Sequence, residues 1–282
     1  MARYLSTLVV LFASVGFADE PSTYLLRYKL TDGQRLNYEV THVAKTKTRI
    51  QGEEEISQVH TLSKRHWQVA EVADEEMTFD HVVDSVEMTQ QQGEKDEIRW
   101  SSESGEEAPR IFSRVAESLG KALATVTINT RGQETNREDH GGGTKASLGM
   151  GALSIALPKE PMAVGQTWSI PREIQTRTED GLVKQIKIRE LYKLEKVKSG
   201  VAVLSVRSEP LTPIDEESVQ AQVVQQLSNG TIRFDIDAGH MISKELQWDE
   251  TVVGFNGANS LMEYRARFNE KLVDNITRTA RR

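Results

Sequence analysis

Leu157-Pro158-Lys159-Glu160-Pro161-Met162-Ala163-Val164-Gly165-Gln166-Thr167-Trp168-Ser169-Ile170 begins as a connector and ends as a strand. Pro158 and Pro161 exclude a helix interior or a central strand at its start. After Gly165-Gln166, the large apolar residues Trp168 and Ile170 stand two apart, the period of a half-buried strand. The same order stands earlier, in Gly33-Gln34-Arg35-Leu36-Asn37-Tyr38. The repetition predicts a seam between two similar β-rich halves. It also predicts that Trp168 is a core anchor in the place Leu36 holds in the first half.

Working outward, Tyr24, Leu26, Tyr28 and Leu30 alternate and read as a first strand, followed by a turn at Thr31-Asp32-Gly33. Leu36, Tyr38 and Val40 open a strand reaching Ile50. Further strands are expected over 56–72, 77–88 and 98–101. Glu106-Glu107-Ala108-Pro109 has the chemistry of a helix start, and Ile111, Phe112, Val115, Ala116 and Leu119 follow at helical spacing. Gly120 weakens that helix. A strand over 125–130 closes on Gly132, a polar loop is expected over 133–145, and a short glycine-broken helix over 146–157.

The second half alternates more cleanly. Strands are expected at 168–176, 186–195 and 201–206, then at 232–236 closing on Gly239, at 242–252 and at 262–272. Residues 216–227 suit either a helix or a strand. The resulting organisation is a signal peptide over 1–18, a first β-rich half over 19–156 with a helix near 109–122, a second half over 157–276 and a basic tail over 277–282. The fold class is mainly β: curved antiparallel sheets built from two similar halves, with one or two packed helices.

Leu5 to Phe17 is an apolar run of signal-peptide length, with small residues placed for cleavage between Ala18 and Asp19. It is too short to span a bilayer, and no second run of its kind follows. The expected address is therefore exported, periplasmic or extracellular, with no membrane span. The absence of cysteine excludes disulfides and thiol chemistry. The net charge of −7 argues against nucleic acid as a partner.

Candidate chemistry is sparse. Asp139-His140-Gly141-Gly142-Gly143 resembles the oxyanion-hole segment of some esterases, but no Gly-x-Ser-x-Gly nucleophile elbow accompanies it. Glu138, Asp139 and His140 are adjacent and so converge poorly on a metal ion, and His60 and His66 are too far apart along one strand to share one. Asp235 and Asp237 read as a solvated sheet face. No phosphate loop or dinucleotide fingerprint is present, so neither a cofactor nor a metal is expected, and no catalytic residue is assigned. What remains is apolar shape. Leu36, Tyr38, Trp168, Ile170, Tyr264 and Phe268, with Trp248, fall on inward faces where a curved sheet can hold an apolar ligand. The plainer reading makes them core beneath the helices.

Three motifs carry a resemblance: Leu-Pro-x-x-Pro-x-x-x-Gly-x-x-Trp at Leu157 to Trp168, Tyr-x-Leu-x-x-Gly at Tyr28 to Gly33, and Phe234-Asp235 through Gly239. Over about Tyr24 to Leu272 the chain resembles a group of secreted bacterial β-rich proteins built on a domain of unknown function. By looser analogy it is similar to the half-barrels of periplasmic lipoprotein carriers. The resemblance implies a non-catalytic envelope protein binding an apolar small molecule or a partner protein. The alternatives are a structural or assembly module acting through sheet edges and, last, an extracytoplasmic hydrolase.

Overall fold

The structure is a computed structural model that describes residues 22–140, 153–227 and 229–273. The expected leader and basic tail lie outside the described residues. In chain order the elements are β1 (Thr23–Tyr24), β2 (Arg35–Ile50), β3 (Glu53–Ala73), β4 (Glu76–Gln92), β5 (Ile98–Ser101), α1 (Ser113–Ser118), β6 (Ala122–Asn129) and β7 (Glu134–Asp139). They continue with β8 (Met162–Ala163), β9 (Thr167–Arg177), β10 (Val183–Lys198), β11 (Val201–Pro210), α2 (Glu217–Val223), β12 (Asn229–Asp235), β13 (His240–Val253) and β14 (Ser260–Val273).

One antiparallel sheet runs through both halves in the order β7-β6-β4-β3-β2-β14-β13-β12-β11-β10-β9, with β5 added beside β4. The halves follow one plan. Each has three strands, a segment containing a helix, a fourth strand that pairs back on the third, a glycine turn and a fifth strand. β14 joins the two by pairing with β13 on one side and β2 on the other. The extra length of the first half lies in its longer first three strands, of 16, 21 and 17 residues against 11, 16 and 10, and in β5 with its connections.

The sheet is strongly curved, and the N-terminal segment shows by how much. Tyr28 N–H donates to the Thr130 carbonyl in the β6–β7 turn (2.8 Å), while Lys29 N–H donates to the Gly239 carbonyl in the β12–β13 turn (3.0 Å). β6 and β12 are six steps apart in the sheet, which is about 29 Å if flat at ~4.8 Å per step. Neighbouring residues bond both turns, so the sheet folds over and brings these turns together. The segment after β1 alternates in burial as the sequence predicts, with Leu26, Tyr28 and Leu30 inside. It is an extended strap rather than a strand, because its partners are two turns and not a ladder.

Cross-strand partners share a face, so the registers separate the two surfaces. One face carries the main core, to which β2, β3, β4, β6 and β10 to β14 all contribute together with the strap. Trp67 stacks on Phe79 (centroids 4.3 Å, 10° between planes), and Tyr28 meets Phe234 edge to face (5.2 Å). α1 and α2 pack on this same concave face. The convex face is charged.

Several expectations are corrected. α1 starts at Ser113, later than the acidic signal suggests: Phe112 N–H bonds the Pro109 carbonyl in a turn, and Ile111 is exposed. The helix stops before Gly120, whose φ is +71°. Residues 134–139, expected in a loop, form β7. Their pairing with β6 is made by the backbone, and none of their side chains is buried, so no hydrophobic alternation marks them. Residues 153–157 form no helix, and Leu153, Ile155 and Leu157 are buried; the rest of the expected helix lies outside the described residues. The ambiguous 216–227 contains α2 and a 3-10 turn (Val224–Gln226). Trp168 is half-buried, unlike the buried Leu36, because it stands on the edge strand β9.

Candidate functional site

The concave face can be read in rows across the strands. In the row His42–Thr61, His42 on β2 also faces Phe268 on β14 and, through it, Leu246 on β13. One row nearer the strap, Ser63, Val40, Glu270 and Lys244 stand in line. One row farther from it stand Val59, Ala44, Ala266 and Trp248, and after them Ser57, Thr46, Tyr264 and Glu250.

Toward the end distant from the strap, α1 and α2 cover different parts of this face. α1 contributes to a cluster of Val83, Val86, Trp100 and Phe112, with Met88 and Val115 against it. α2 lies on Val252, Met262, Tyr264 and Ala266 through Ala221 and Val224. Between these clusters run the concave positions of β2 and β3, namely Ala44, Thr46, Thr48, Ser57 and Val59, all of them half-buried. They form the floor of a lane made of small and β-branched side chains, flanked on β4 by Gln90 and Gln92, with Met88 one row nearer the strap, and on β14 by Tyr264 and Met262.

The lane ends at buried polar groups. Lys244 Nζ lies 3.0 Å from Glu270 Oε2, with side chains 10 % and 5 % exposed, and 5.3 Å from the centre of the Phe268 ring. Arg65 is buried and donates through Nε to Ser63 Oγ (2.9 Å). Burial lowers the Arg65 pKa, and the Glu270 carboxylate opposes that shift. Burial, helped by Arg65, also lowers the pKa of His42. The Tyr28 and Tyr38 hydroxyls are pushed up by burial, with Glu270 adding to the effect. Deeper in, His81 is buried and its pKa falls to about 3, chiefly by desolvation, with Arg65, Arg137, His66 and Lys244 repelling its charged form.

The six residues expected to line a ligand site fall in three places. Leu36, Tyr38 and Phe268 belong to the main core, and Trp168 and Ile170 pack against its edge. Tyr264 belongs to the cluster under α2, beside the lane. The polar end was missed, although its signal is present. Glu270 continues the inward phase of Met262, Tyr264, Ala266 and Phe268; Arg65 shares the phase of Trp67 and Val69; His42 shares that of Tyr38 and Val40. A charge in the inward phase of a strand is the mark of such a site.

His140 lies elsewhere, on the convex side. Its Nε2 is 2.7 Å from Thr125 Oγ1, and that hydroxyl donates to Asp80 Oδ1 (2.6 Å). The hydroxyl proton therefore points at the carboxylate and not at the imidazole, the reverse of what a nucleophile activated by a histidine needs. Among the described residues no three His, Cys, Asp or Glu side chains converge as a metal site, and no helix is long and apolar enough to cross a membrane. Two recesses, one of about 220 Å³ lined by Lys45, Lys47, Ile56, Glu263 and Arg265 and one of about 530 Å³ along Glu160 to Thr167, lie on the convex face and at the seam turn.

No family model matches the chain, and no curated protein matches it. A solved structure concerning lipid–protein interactions in lipovitellin contains a chain similar in course, with a TM-score of 0.47 and 10 % identity. The match covers 87 % of this chain and 26 % of that one, so the present chain spans about a quarter of its length. A likeness at that level carries nothing from one protein to the other.

Proposed function

We propose that this is an exported, non-catalytic envelope protein that holds an apolar chain on the concave face of its sheet. The observation that carries the reading is the lane between the α1 and α2 clusters. On β2 and β3 the concave positions nearer the strap, Leu36, Tyr38, Val40, Ser63, Arg65, Trp67 and Val69, are buried, whereas Ala44, Thr46, Thr48, Ser57 and Val59 are half-buried between the apolar clusters at α1 and α2. A floor of small side chains leaves room above the sheet, and apolar walls favour an apolar occupant. The leader-like pattern over 1–18 supports the address.

Assembly through sheet edges is the weaker reading, because both edges are guarded. β9 carries Pro171, which has no N–H to offer, and Gln222 occupies the Arg177 N–H (2.9 Å) and carbonyl (2.6 Å) beside it. β7 is six residues long and mostly charged.

The test is displacement of a fluorescent fatty acid from delipidated protein, comparing the natural chain with Ala44→Trp. The bulky ring fills the lane floor, and binding is expected to be lost with the fold intact by circular dichroism. Unchanged affinity would remove the lane as the binding place.

A further inference from the structure

The polar end of the lane indicates what kind of apolar ligand fits. Going from Ala44 to His42 advances one row, and from His42 to the Lys244–Glu270 row one more, roughly 6.7 Å each along the strand. The groups facing that end are Lys244, Arg65, the His42 imidazole, the Thr61 and Ser63 hydroxyls and one carboxylate, Glu270. An apolar tail lying on Ala44, Thr46 and Val59 directs its head toward these groups. A neutral hydrocarbon gains nothing there, and a cationic head meets Lys244 and Arg65. An anionic head receives charge-assisted hydrogen bonds in a low-dielectric setting, where such bonds are strong. Lys244 suits this role, because its side chain is less enclosed than that of Glu270 and its ammonium sits over Phe268, in the His42 row that adjoins the lane.

Resting on the lane reading above, we propose that the ligand is an anionic amphiphile, with its tail in the lane and its carboxylate or phosphate received by Lys244, beside His42 and Arg65. The experiment measures displacement of a neutral fluorescent acyl probe from the delipidated full chain by palmitic acid, methyl palmitate and a monoacyl glycerol phosphate. At least one anionic amphiphile is expected to bind about tenfold or more tightly than the ester. A stronger fatty acid identifies a carboxylate head, and a stronger lysophosphatidate identifies a phosphate head. In the double variant Lys244→Met, Glu270→Gln the preference is expected to vanish while ester binding persists. His42→Leu, which leaves the buried ion pair in place, is expected to reduce the preference, and it decides the matter if the double variant does not fold. Equal binding of the ester and both anions, or a preference that survives these substitutions, overturns the anionic head and leaves the lane standing. Failure of all three compounds to bind overturns the lane reading and this inference with it.

Discussion

Gln34 and Gln166 make the same turn in the two halves. The Gln34 Oε1 accepts from Thr31 N–H (2.9 Å), and its own N–H donates to the Thr31 carbonyl (3.0 Å). The Gln166 Oε1 accepts from Ala163 N–H (2.8 Å), and its N–H donates to the Ala163 carbonyl (3.1 Å). Both glutamine carbonyls then start a ladder, receiving Val69 N–H in one half and Leu194 N–H in the other. Each side chain replaces a backbone partner that the turn would otherwise leave to water. Gln34→Ala and Gln166→Ala should each cost about 1 kcal/mol, and the double variant should show the sum, since the sites share no partner. Urea denaturation checks both the size and the additivity.

Gly132 and Gly239 close the fourth strands of the two halves and clamp the strap from both sides. A Cβ on Gly132 would collide with the Ile155 carbonyl and the Tyr28 ring, and one on Gly239 with the backbone of Lys29. Both residues also sit at positive φ, +71° and +67°. Gly33, at +72°, has open space around its missing side chain. Gly132→Ala and Gly239→Ala should therefore cost well over the ~1 kcal/mol expected of Gly33→Ala, and should expose Tyr28. Thermal melts rank the three variants, and tyrosine fluorescence reports the strap. Equal costs would show that backbone conformation alone matters.

Trp67 and Trp168 separate the core from its rim. Trp67 is 1 % exposed and lies between Tyr38 and Phe79. Trp168 stacks on Tyr192 at 5.2 Å and donates from Nε1 to the Ala156 carbonyl (2.9 Å), yet stays half-buried on an edge strand. Trp67→Ala should cost about 3–5 kcal/mol, and Trp168→Ala roughly 1–3 kcal/mol. Chemical denaturation of the two variants measures the difference.

The buried His81 and the half-buried His42 make stability fall in acid. His81 titrates at about 3 in the fold against 6.5 when exposed, and His42 is shifted in the same direction. Between these limits the unfolded chain binds more protons than the fold, so stability rises with pH. The His81 contribution is complete above about pH 6.5 and is lost as pH falls toward 3, at up to ~1.4 kcal/mol per pH unit, and His42 adds to it in the same direction. Urea midpoints from pH 7.5 to 4.5 should decline, and His81→Leu should flatten the decline. A pH-independent midpoint over that window would contradict the burial of His81.

The alternation of Leu36, Tyr38 and Val40 and of Met262 through Phe268, together with the paired Gly-Gln turns, made both the strands and the repeat legible, because these stretches bury one side and expose or half-bury the other. β7 was not legible, since it is held by backbone bonds and buries no side chain. Nor was the strap, whose alternation matches a strand while its partners are two distant turns. The order of strands was beyond sequence as well, because the β2–β14 pairing joins opposite ends of the chain. Tyr264, whose inward position is legible from its phase, stands beside the lane, whereas Ala44 and Thr46 were not singled out, because small half-buried residues leave no periodic signal.

The most direct measurement is native mass spectrometry of the protein purified without detergent from its own source. The account predicts a single acyl-chain adduct per protein molecule, present in the natural chain and absent from Ala44→Trp. A spectrum of the bare polypeptide mass alone, or an adduct undiminished by Ala44→Trp, would contradict it.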